Sequence, residues 1–462
     1  MGSLHYLSIA EAAGLIRSRR LSATELVQAH LDRIGALDPR LHAFITVTAD
    51  RALAEAREAD LELHRGQCRG PLHGIPIAHK DLFWTNGVRT TAHSALLADW
   101  VPSEDAGVVA RLQEAGAISL GKLALHEFAF GSPGPDEAFP AARNPWNLDY
   151  TPGSSSSGSG TAVAAGLCMG ATGTDTGGSV RHPAAVCGVV GMKPTFGRVG
   201  MHGVIPLSST LDHAGPLTRT VRDNALMLQA MAGHDPRDRR SAKQPVPDFQ
   251  RLIGRPVRGV RIGVPRRLIE STPHDPETLA AFAGAERVLR ELGAEIRDVD
   301  VSGLDQADEV AKLILVYEAY RYHRPSLAAE PANFGAAFRK RISKGAEYAS
   351  ADYHAAIGEA AKLRAAYAAT FASGVALIIS PSRERPADTM DELLANPTKR
   401  GVTYRMYNLT GLPALSLPMG FSSRGLPLGL QIAADHFEEE LLYQLAAAYE
   451  EAAGWRDRHP SL

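Results

Sequence analysis

One lysine and two serine- and glycine-rich stretches are the parts of this chain whose residue types suggest chemistry. Lys80 follows the apolar residues 75–78, and the two stretches are residues 152–160 and 173–181. Glycines let backbone amides approach a substrate closely, and a serine hydroxyl can attack a carbonyl carbon. A lysine that is buried can act as a base, because burial disfavours the charged ammonium. The combination predicts a serine hydrolase that uses lysine, and not histidine, as its base.

The first stretch, residues 152–160, has the composition of a flexible linker. It runs directly into residues 161–170, whose small and apolar side chains predict a buried helix. A linker does not normally lead into a packed helix without a break. We therefore expect a strand-to-helix turn whose backbone amides reach the substrate.

The second stretch combines adjacent glycines with a serine. An ordinary tight turn would also explain the glycines. The functional interpretation uses the successive backbone N–H groups of Thr176, Gly177, Gly178 and Ser179, which we expect to form an oxyanion hole. Removing one such donor typically lowers a rate by about 10²–10³-fold. Ser179, at the end of this run, is the predicted nucleophile.

The segments that must position these residues alternate between helix and strand patterns. Residues 108–115 have a helical pattern that Gly116 ends, and residues 117–120 follow as a buried strand. The same order of helix, glycine and strand returns at residues 279–292, Gly293 and residues 294–299. Such alternation predicts an α/β fold with a largely buried sheet and helices on both faces. We expect residues 1–462 to form a single domain.

The composition and charge of the chain argue against nucleic-acid-binding, membrane-spanning and zinc-binding proteins. Of the 462 residues, 45% are hydrophobic and 22% are charged, and the formal net charge is −2. This charge gives no reason to expect nucleic acid or an anionic membrane as a partner. Cys68, Cys168 and Cys187 form no CxxC pair, which argues against a zinc site and fits a reducing compartment. No apolar run approaches the roughly 20 residues of a membrane-spanning helix, so a soluble, cytoplasmic protein is expected.

In their order along the chain, these motifs resemble the amidase signature family. The similarity runs from about Gly74 to Thr220 and returns near the C-terminus. Besides the two stretches, it includes residues 121–122, 126–131, 143–147, 191–199, 211–220, 407–415 and 427–431. The resemblance implies one compact amidase-signature fold with a central, mixed and twisted β-sheet. It also implies a signature core at about residues 70–220 and a helical substrate-pocket insertion at about residues 300–370.

The resemblance implies a Ser–Ser–Lys triad as well. Carried over by position, Ser179 forms the acyl-enzyme, Ser155 relays protons and follows a cis peptide bond, and Lys80 is the terminal base. Serines replace the glycines that flank the family's serine pair, so Ser154 or Ser156 stays open as the bridging residue. Ser155 and Ser179 are 24 positions apart, which matches the family spacing and favours Ser155.

The activity that the resemblance implies is hydrolysis of a carboxylic acid amide to an acid and ammonia or an amine, as in hydrolases of linear amides. An alternative is the glutaminase-like A subunit of a tRNA-dependent amidotransferase. That subunit usually carries an acidic residue shortly before its Asn-Leu-x-Gly-x-Pro motif, and residues 401–407 contain none. A catalytically inactive binding scaffold is a third interpretation, against which the retained triad residues argue.

The substrate pocket is assigned by analogy with the family. Its expected residues are Gly131, Ser132, Tyr317, Phe334 and Arg341. Arg341 is a candidate partner for a substrate carboxylate, although a surface ion pair explains it equally well. The expected partner is a small-molecule amide, with no nucleic acid and no membrane, and a homodimer is left open. No cofactor and no metal are expected.

Overall fold

The computed structural model describes residues 4–134, 136–395 and 402–462. Within these ranges the α-helices are α1 (Ile9–Arg17), α2 (Ala23–Leu41), α3 (Ala49–His64), α4 (Gly107–Glu114), α5 (Ser157–Ala164), α6 (Arg181–Cys187), α7 (Val221–Met231), α8 (Arg266–Ser271), α9 (Pro276–Glu291), α10 (Leu304–Ala329), α11 (Ala336–Ile342), α12 (Ser350–Ala372), α13 (Met390–Ala395), α14 (Val402–Thr410) and α15 (Glu439–Ala453). The strands are β1 (Phe44–Val47), β2 (Pro76–Lys80), β3 (Ile118–Leu123), β4 (Gly170–Asp175), β5 (Val190–Lys193), β6 (His213–Thr218), β7 (Arg261–Val264), β8 (Glu295–Asp298), β9 (Leu377–Pro381), β10 (Ala414–Phe421) and β11 (Pro427–Ala434).

These strands form one mixed sheet in the order β1-β3-β2-β4-β6-β5-β10-β11-β9-β7-β8. β2 is parallel to both of its neighbours, β3 and β4. From β4 across to β9 each neighbouring pair is antiparallel, and β9, β7 and β8 are parallel again. The predicted α/β class with a central mixed sheet is confirmed.

Helices cover both faces of this sheet, as β2 shows. Ile77 and Ala78 are consecutive in β2, so their side chains point to opposite faces. Ile77 belongs to an apolar cluster that includes residues of α1, α4, α7 and α15, whereas Ala78 belongs to a second cluster with residues of α2, α3, α5 and α6. The sheet therefore lies between two apolar layers, which buries the strands that lead to the site.

Both predicted helix–glycine–strand units are present. α4 leads through Gly116 into β3, and α9 leads through Gly293 into β8. Each glycine has a positive φ, 86° and 89° respectively, a conformation that favours glycine after a helix. The first unit supports the site directly, because β3 lies beside β2, the strand that ends at Lys80.

Three helices, α10, α11 and α12, occupy much of the segment predicted as a helical insertion. α10 packs against α12 and α14, and α14 leads into β10 of the central sheet. The role of this segment in substrate binding stays a prediction, as does the division of the chain into a core and an insertion. Across the described ranges, no helix is long and apolar enough to cross a membrane.

Candidate active site

Two parallel strands end side by side and bring the predicted catalytic residues to one edge of the sheet. β2 ends at Lys80 and β4 ends at Asp175. Their pairing places Ile77 opposite Gly170, and the backbone N–H of Lys80 donates to Oγ1 of Thr172 at 3.2 Å. The carboxyl ends of parallel strands are where α/β sheets bind ligands. The loops after β2 and β4 therefore meet in a place suited to a site.

Hydroxyl groups surround the buried amine of Lys80. Its Nζ lies 2.8 Å from Oγ of Ser155, 2.8 Å from Oγ1 of Thr174 and 3.1 Å from Oγ of Ser156. The side chain is 0% exposed, and this burial lowers the pKa of Lys80 to about 7 despite two nearby carboxylates. Near neutral pH a large fraction of Lys80 is consequently uncharged and able to accept a proton.

Ser179 lies next to this group. The backbone N–H of Ser155 donates to Oγ of Ser179 at 3.4 Å, and both serines are buried. The peptide bonds of the described residues are all trans, so the cis bond that the resemblance implies before Ser155 is absent. A trans bond is favoured by about 3–4 kcal/mol before a residue other than proline.

The neighbouring serines make different contacts. Oγ of Ser156 accepts a hydrogen bond from Lys80 and donates to the carbonyl oxygen of Thr174 at 3.2 Å. Oγ of Ser154 is buried and has no hydrogen-bond partner within the described part of the chain. Ser155 contacts Lys80 through Oγ and Ser179 through its N–H. Ser155 and Ser156 both contact Lys80 through Oγ, whereas Oγ of Ser154 does not, so the contacts argue against Ser154. Ser155 as the bridge stays a prediction.

The loop between β4 and Ser179 carries the predicted oxyanion donors. The N–H of Gly178 donates to Oδ1 of Asp175 at 2.8 Å. The prediction that this N–H serves an oxyanion is therefore corrected, because Asp175 already binds its proton. Gly178 has another role: its φ is +105°, and a Cβ at this position would lie 2.6 Å from Cγ of Tyr404. The N–H groups of Thr176, Gly177 and Ser179 stay the predicted donors.

A fully buried ion pair holds this loop. Nη2 of Arg181 lies 2.9 Å from Oδ1 of Asp175 and also donates to Oδ1 of Asn408 at 2.8 Å. Nδ2 of Asn408 donates in turn to the carbonyl oxygen of Asp175 at 2.7 Å. Burial alone would raise the pKa of Asp175, but the charge of Arg181 beside it holds that pKa well below its usual range. The network fixes the end of β4 to α14.

Replacing Arg181 by methionine is expected to lower the free energy of unfolding by about 3–5 kcal/mol, because it leaves the buried carboxylate of Asp175 unpaired. Urea unfolding followed by circular dichroism measures this loss. The matched control is Arg251→Met, which removes a largely exposed arginine from its ion pair with Glu440 and should cost far less. Equal losses in the two variants would contradict a structural role for the buried pair.

Gly131 and Arg341, two of the predicted pocket residues, lie close to each other. A Cβ added to Gly131 would be 3.7 Å from Cδ and Nη1 of Arg341, and the guanidinium of Arg341 lies over the ring of Phe130 at 5.1 Å. Ser132 follows Gly131 and is buried. Burial and the nearby charge of Arg405 lower the pKa of Arg341 to about 10. The positive charge of Arg341 is thus close to a second arginine that the pocket prediction did not include.

The two aromatic pocket candidates pack against other rings. Phe334 is 2% exposed and stacks on Phe338, with ring centroids 5.5 Å apart. Tyr317 stacks on Tyr353 with centroids 4.7 Å apart. These contacts do not join either residue to Lys80, Ser155 or Ser179, so their place in a pocket stays a prediction.

Several polar partners of the site were not predicted from the sequence. Thr174 contacts Lys80, and Oγ1 of Thr176 donates to Oδ1 of Asp212 at 2.5 Å. Burial raises the pKa of Asp212 to about 6. The sequence contained a signal for Thr174 and for Asp212. Thr174 lies inside the second glycine-rich stretch, and Asp212 lies inside the motif at residues 211–220.

Comparison with known proteins finds relatives over nearly the whole chain. The family model described as Amidase matches residues 25–443. The A subunit of glutamyl-tRNA(Gln) amidotransferase from Moorella thermoacetica is 41% identical, over 99% of both chains. The structure of 6-aminohexanoate cyclic dimer hydrolase has a TM-score of 0.90 at 30% identity and covers 99% of both chains. Peptide amidase from Stenotrophomonas maltophilia has a TM-score of 0.85 at 33% identity and covers 98% of both chains.

The relatives correct the predicted partners and identify the family. The expectation of a small-molecule partner alone, with no nucleic acid, is wrong, because a relative similar over the whole chain is one subunit of a tRNA amidotransferase. A net charge is a sum over the whole chain, and it does not exclude a tRNA that an assembly binds through other surfaces or subunits. With a match over residues 25–443, the chain belongs to the amidase signature family of enzymes, which act on carbon–nitrogen bonds.

Proposed function

We propose that this chain hydrolyses a carboxamide and releases ammonia, with Ser179 as the nucleophile, Ser155 as the proton relay and Lys80 as the base. We further propose that it does so as the A subunit of a tRNA-dependent amidotransferase. The observation that carries the chemistry is the buried Nζ of Lys80, 2.8 Å from Oγ of Ser155, whose N–H contacts Oγ of Ser179. The 41% identity over 99% of both chains favours the subunit role.

In the first half of the reaction, neutral Lys80 takes the proton of Ser155 while Ser155 takes the proton of Ser179. Oγ of Ser179 attacks the amide carbon, and the carbonyl oxygen becomes an oxyanion. The N–H groups of Thr176, Gly177 and Ser179 are the proposed donors that stabilise it. The proton then returns through Ser155 to the leaving nitrogen, the C–N bond breaks, and the acyl group stays on Ser179 as an ester.

In the second half, water attacks this ester. The relay of Lys80 and Ser155 takes a proton from the water, and Ser179 leaves as the alcohol while the acid is released. Thr174 supports both halves, because it accepts a hydrogen bond from Lys80 at 2.8 Å and fixes the direction of Nζ. The groups in contact with Nζ are hydroxyls. A carboxylate in the same position would raise the pKa of the lysine and keep it protonated.

A stand-alone amidase is the second candidate function, and one observation favours it. Residues 401–407 lack the acidic residue that the amidotransferase subunit usually carries near this position, and Arg405 stands in the segment. Peptide amidase, a solved structure with a TM-score of 0.85, is an example of an amidase with this fold.

Ammonia release separates the two functions. It is measured for L-glutamine and for carboxamides that lack the α-amino group of glutamine, such as butyramide and succinamate. Ser179→Ala is the background control. Glutamine as the preferred substrate is the result expected for the amidotransferase role. Turnover of the other amides with glutamine inert would contradict that role and support a stand-alone amidase. No ammonia from any amide would contradict amide hydrolysis itself.

A further inference from the structure

Asp212 joins the loop that carries the proposed oxyanion donors to a second loop of the site. It lies just before β6 and is 4% exposed. Its Oδ1 accepts a hydrogen bond from the hydroxyl of Thr176 at 2.5 Å, and Thr176 is also buried. Thr176 is the first of the three proposed oxyanion donors. Because its side chain is held by this bond, its backbone N–H has little freedom to turn.

The other oxygen of Asp212 closes a turn in its own part of the chain. Oδ2 accepts hydrogen bonds from the backbone N–H groups of Leu207 at 2.9 Å and Ser208 at 3.0 Å. Such local bonds from a side chain to nearby backbone are common for aspartate. Oδ1 instead reaches Thr176, which is 36 positions away in the chain. The bond to the oxyanion loop is therefore additional to the bonds that close the turn.

A helix holds the same turn from another side. Glu318 of α10 accepts hydrogen bonds from Oγ of Ser208 at 2.6 Å and from Oγ1 of Thr210 at 2.9 Å. The hydroxyl of Tyr353, on α12, donates to the same carboxylate at 2.7 Å. The turn is thus fixed between two carboxylates, so Asp212 has little freedom to move away from Thr176.

Asp212 also brings a negative charge into the site. Burial raises its pKa to about 6, so the carboxyl is charged above that pH. Asp212 and Asp175 are the carboxylates that act on Lys80, and Asp212 has the larger effect. Asp175 is paired with Arg181, whereas Asp212 forms no ion pair among the described residues. Arg240 is the cation that acts on Asp212, and it is paired with another carboxylate.

We propose that Asp212 is a positioning residue of the reaction, which holds Thr176 of the oxyanion loop through its hydroxyl and keeps a negative charge acting on Lys80. The inference rests on the proposed hydrolysis by Ser179, and it holds for either candidate function. In the transition state, the fixed N–H of Thr176 meets the oxyanion without further movement of the loop. The carboxylate of Asp212 stabilises the ammonium that Lys80 becomes when it takes the proton of Ser155.

The first test removes the charge of Asp212 and keeps its shape, with the amide from which wild type releases ammonia fastest as substrate. In Asp212→Asn, the bend in the pH profile of kcat/KM is expected at a lower pH than in wild type, because a neutral side chain no longer favours protonated Lys80. Above the bend, kcat should fall by about 10–100-fold with KM nearly unchanged, since an oxyanion donor acts in the transition state.

Asp223→Asn is the matched control for this variant. It neutralises another buried aspartate, which accepts a hydrogen bond from the backbone N–H of Ala10 and belongs to α7. Both kcat and the position of the bend should stay as in wild type, even if the midpoint of thermal unfolding falls.

The second test changes Thr176 and covers the case in which Asp212→Asn does not fold. Thr176→Val removes the hydroxyl and keeps the volume, whereas Thr176→Ser keeps the hydroxyl, and both variants retain the backbone N–H. The value of kcat in Thr176→Ser is expected to exceed that in Thr176→Val by at least about tenfold, as the loss of a hydrogen bond to a charged group predicts.

Either of two results would overturn the proposal. They are a bend in folded Asp212→Asn at the same pH as in wild type, and a Thr176→Ser variant that is no more active than Thr176→Val. Failure of the underlying hydrolysis would look different, because wild type itself would then release no ammonia from any amide.

Discussion

Ser179→Ala is expected to lower kcat for amide hydrolysis by at least about 10⁴-fold, because the variant lacks the oxygen on which the proposed acyl-enzyme forms. The variant should remain folded. The hydrogen bond that Oγ of Ser179 accepts from the N–H of Ser155 is long, at 3.4 Å, so its loss costs little stability. Ammonia release measures the rate, and the midpoint of thermal unfolding measures the fold. A folded variant that keeps its activity would remove Ser179 from the mechanism.

Neighbouring serines provide the controls for this experiment. Ser155→Ala should be nearly as damaging, since it breaks the path from Lys80 to Ser179. Ser154→Ala removes a buried hydroxyl that has no described partner, so activity should stay close to that of wild type. Wild-type activity in Ser155→Ala, or a large loss in Ser154→Ala alone, would contradict Ser155 as the bridge.

Lys80→Met is the second substitution with a large expected effect. Methionine has a similar length but no amine, and positioned acid–base groups contribute about 10²–10⁴-fold to a rate. We expect a loss of this size for amides and a smaller loss for activated esters, such as p-nitrophenyl esters. The leaving group of such an ester needs no proton, whereas the nitrogen of an amide does. Equal losses for the two substrates would contradict the role of Lys80 as proton donor to the leaving group.

The pH dependence follows from the same group. Since burial lowers the pKa of Lys80 to about 7, the neutral base is the minor form below that pH and the major form above it. The value of kcat/KM for an amide should rise with pH, bend near 7 and then level off. Lys80→Met should lose this bend. A bend at the same pH in the variant would assign the titration to another group.

The proximity of Lys80, Ser155 and Ser179 could be predicted from the sequence because its signals are local, while their catalytic roles stay predictions. The lysine follows an apolar strand pattern, and the serines lie in glycine-rich stretches with a fixed spacing. The helix–glycine–strand units at Gly116 and Gly293 were predicted for the same reason, since a helix end and a left-handed glycine are neighbours in the chain. The strand predicted at residues 294–299 extends one residue beyond each end of β8, Glu295–Asp298.

The partners of the site are distant in the chain and could not be found this way. Asn408 reaches Asp175 across 233 residues, and their contact depends on how α14 packs beside β4. Gly178 was predicted as an oxyanion donor because its N–H follows two others in sequence, but Asp175 folds back to bind it. Phe334 was chosen for an aromatic pocket by composition; its ring is buried and stacks on Phe338 of α11, a contact that the sequence pattern did not indicate.

Intact-mass analysis after treatment with a fluorophosphonate probe tests the central claim most directly, because the probe reacts only with an activated serine. Wild type and Ser179→Ala are treated side by side, and Lys80→Met shows whether the amine is what activates the serine. We predict a single adduct on wild type, on the peptide that contains Ser179, none on Ser179→Ala and much slower labelling of Lys80→Met. Well-folded wild type without an adduct, or the same adduct on Ser179→Ala, would contradict Ser179 as the nucleophile.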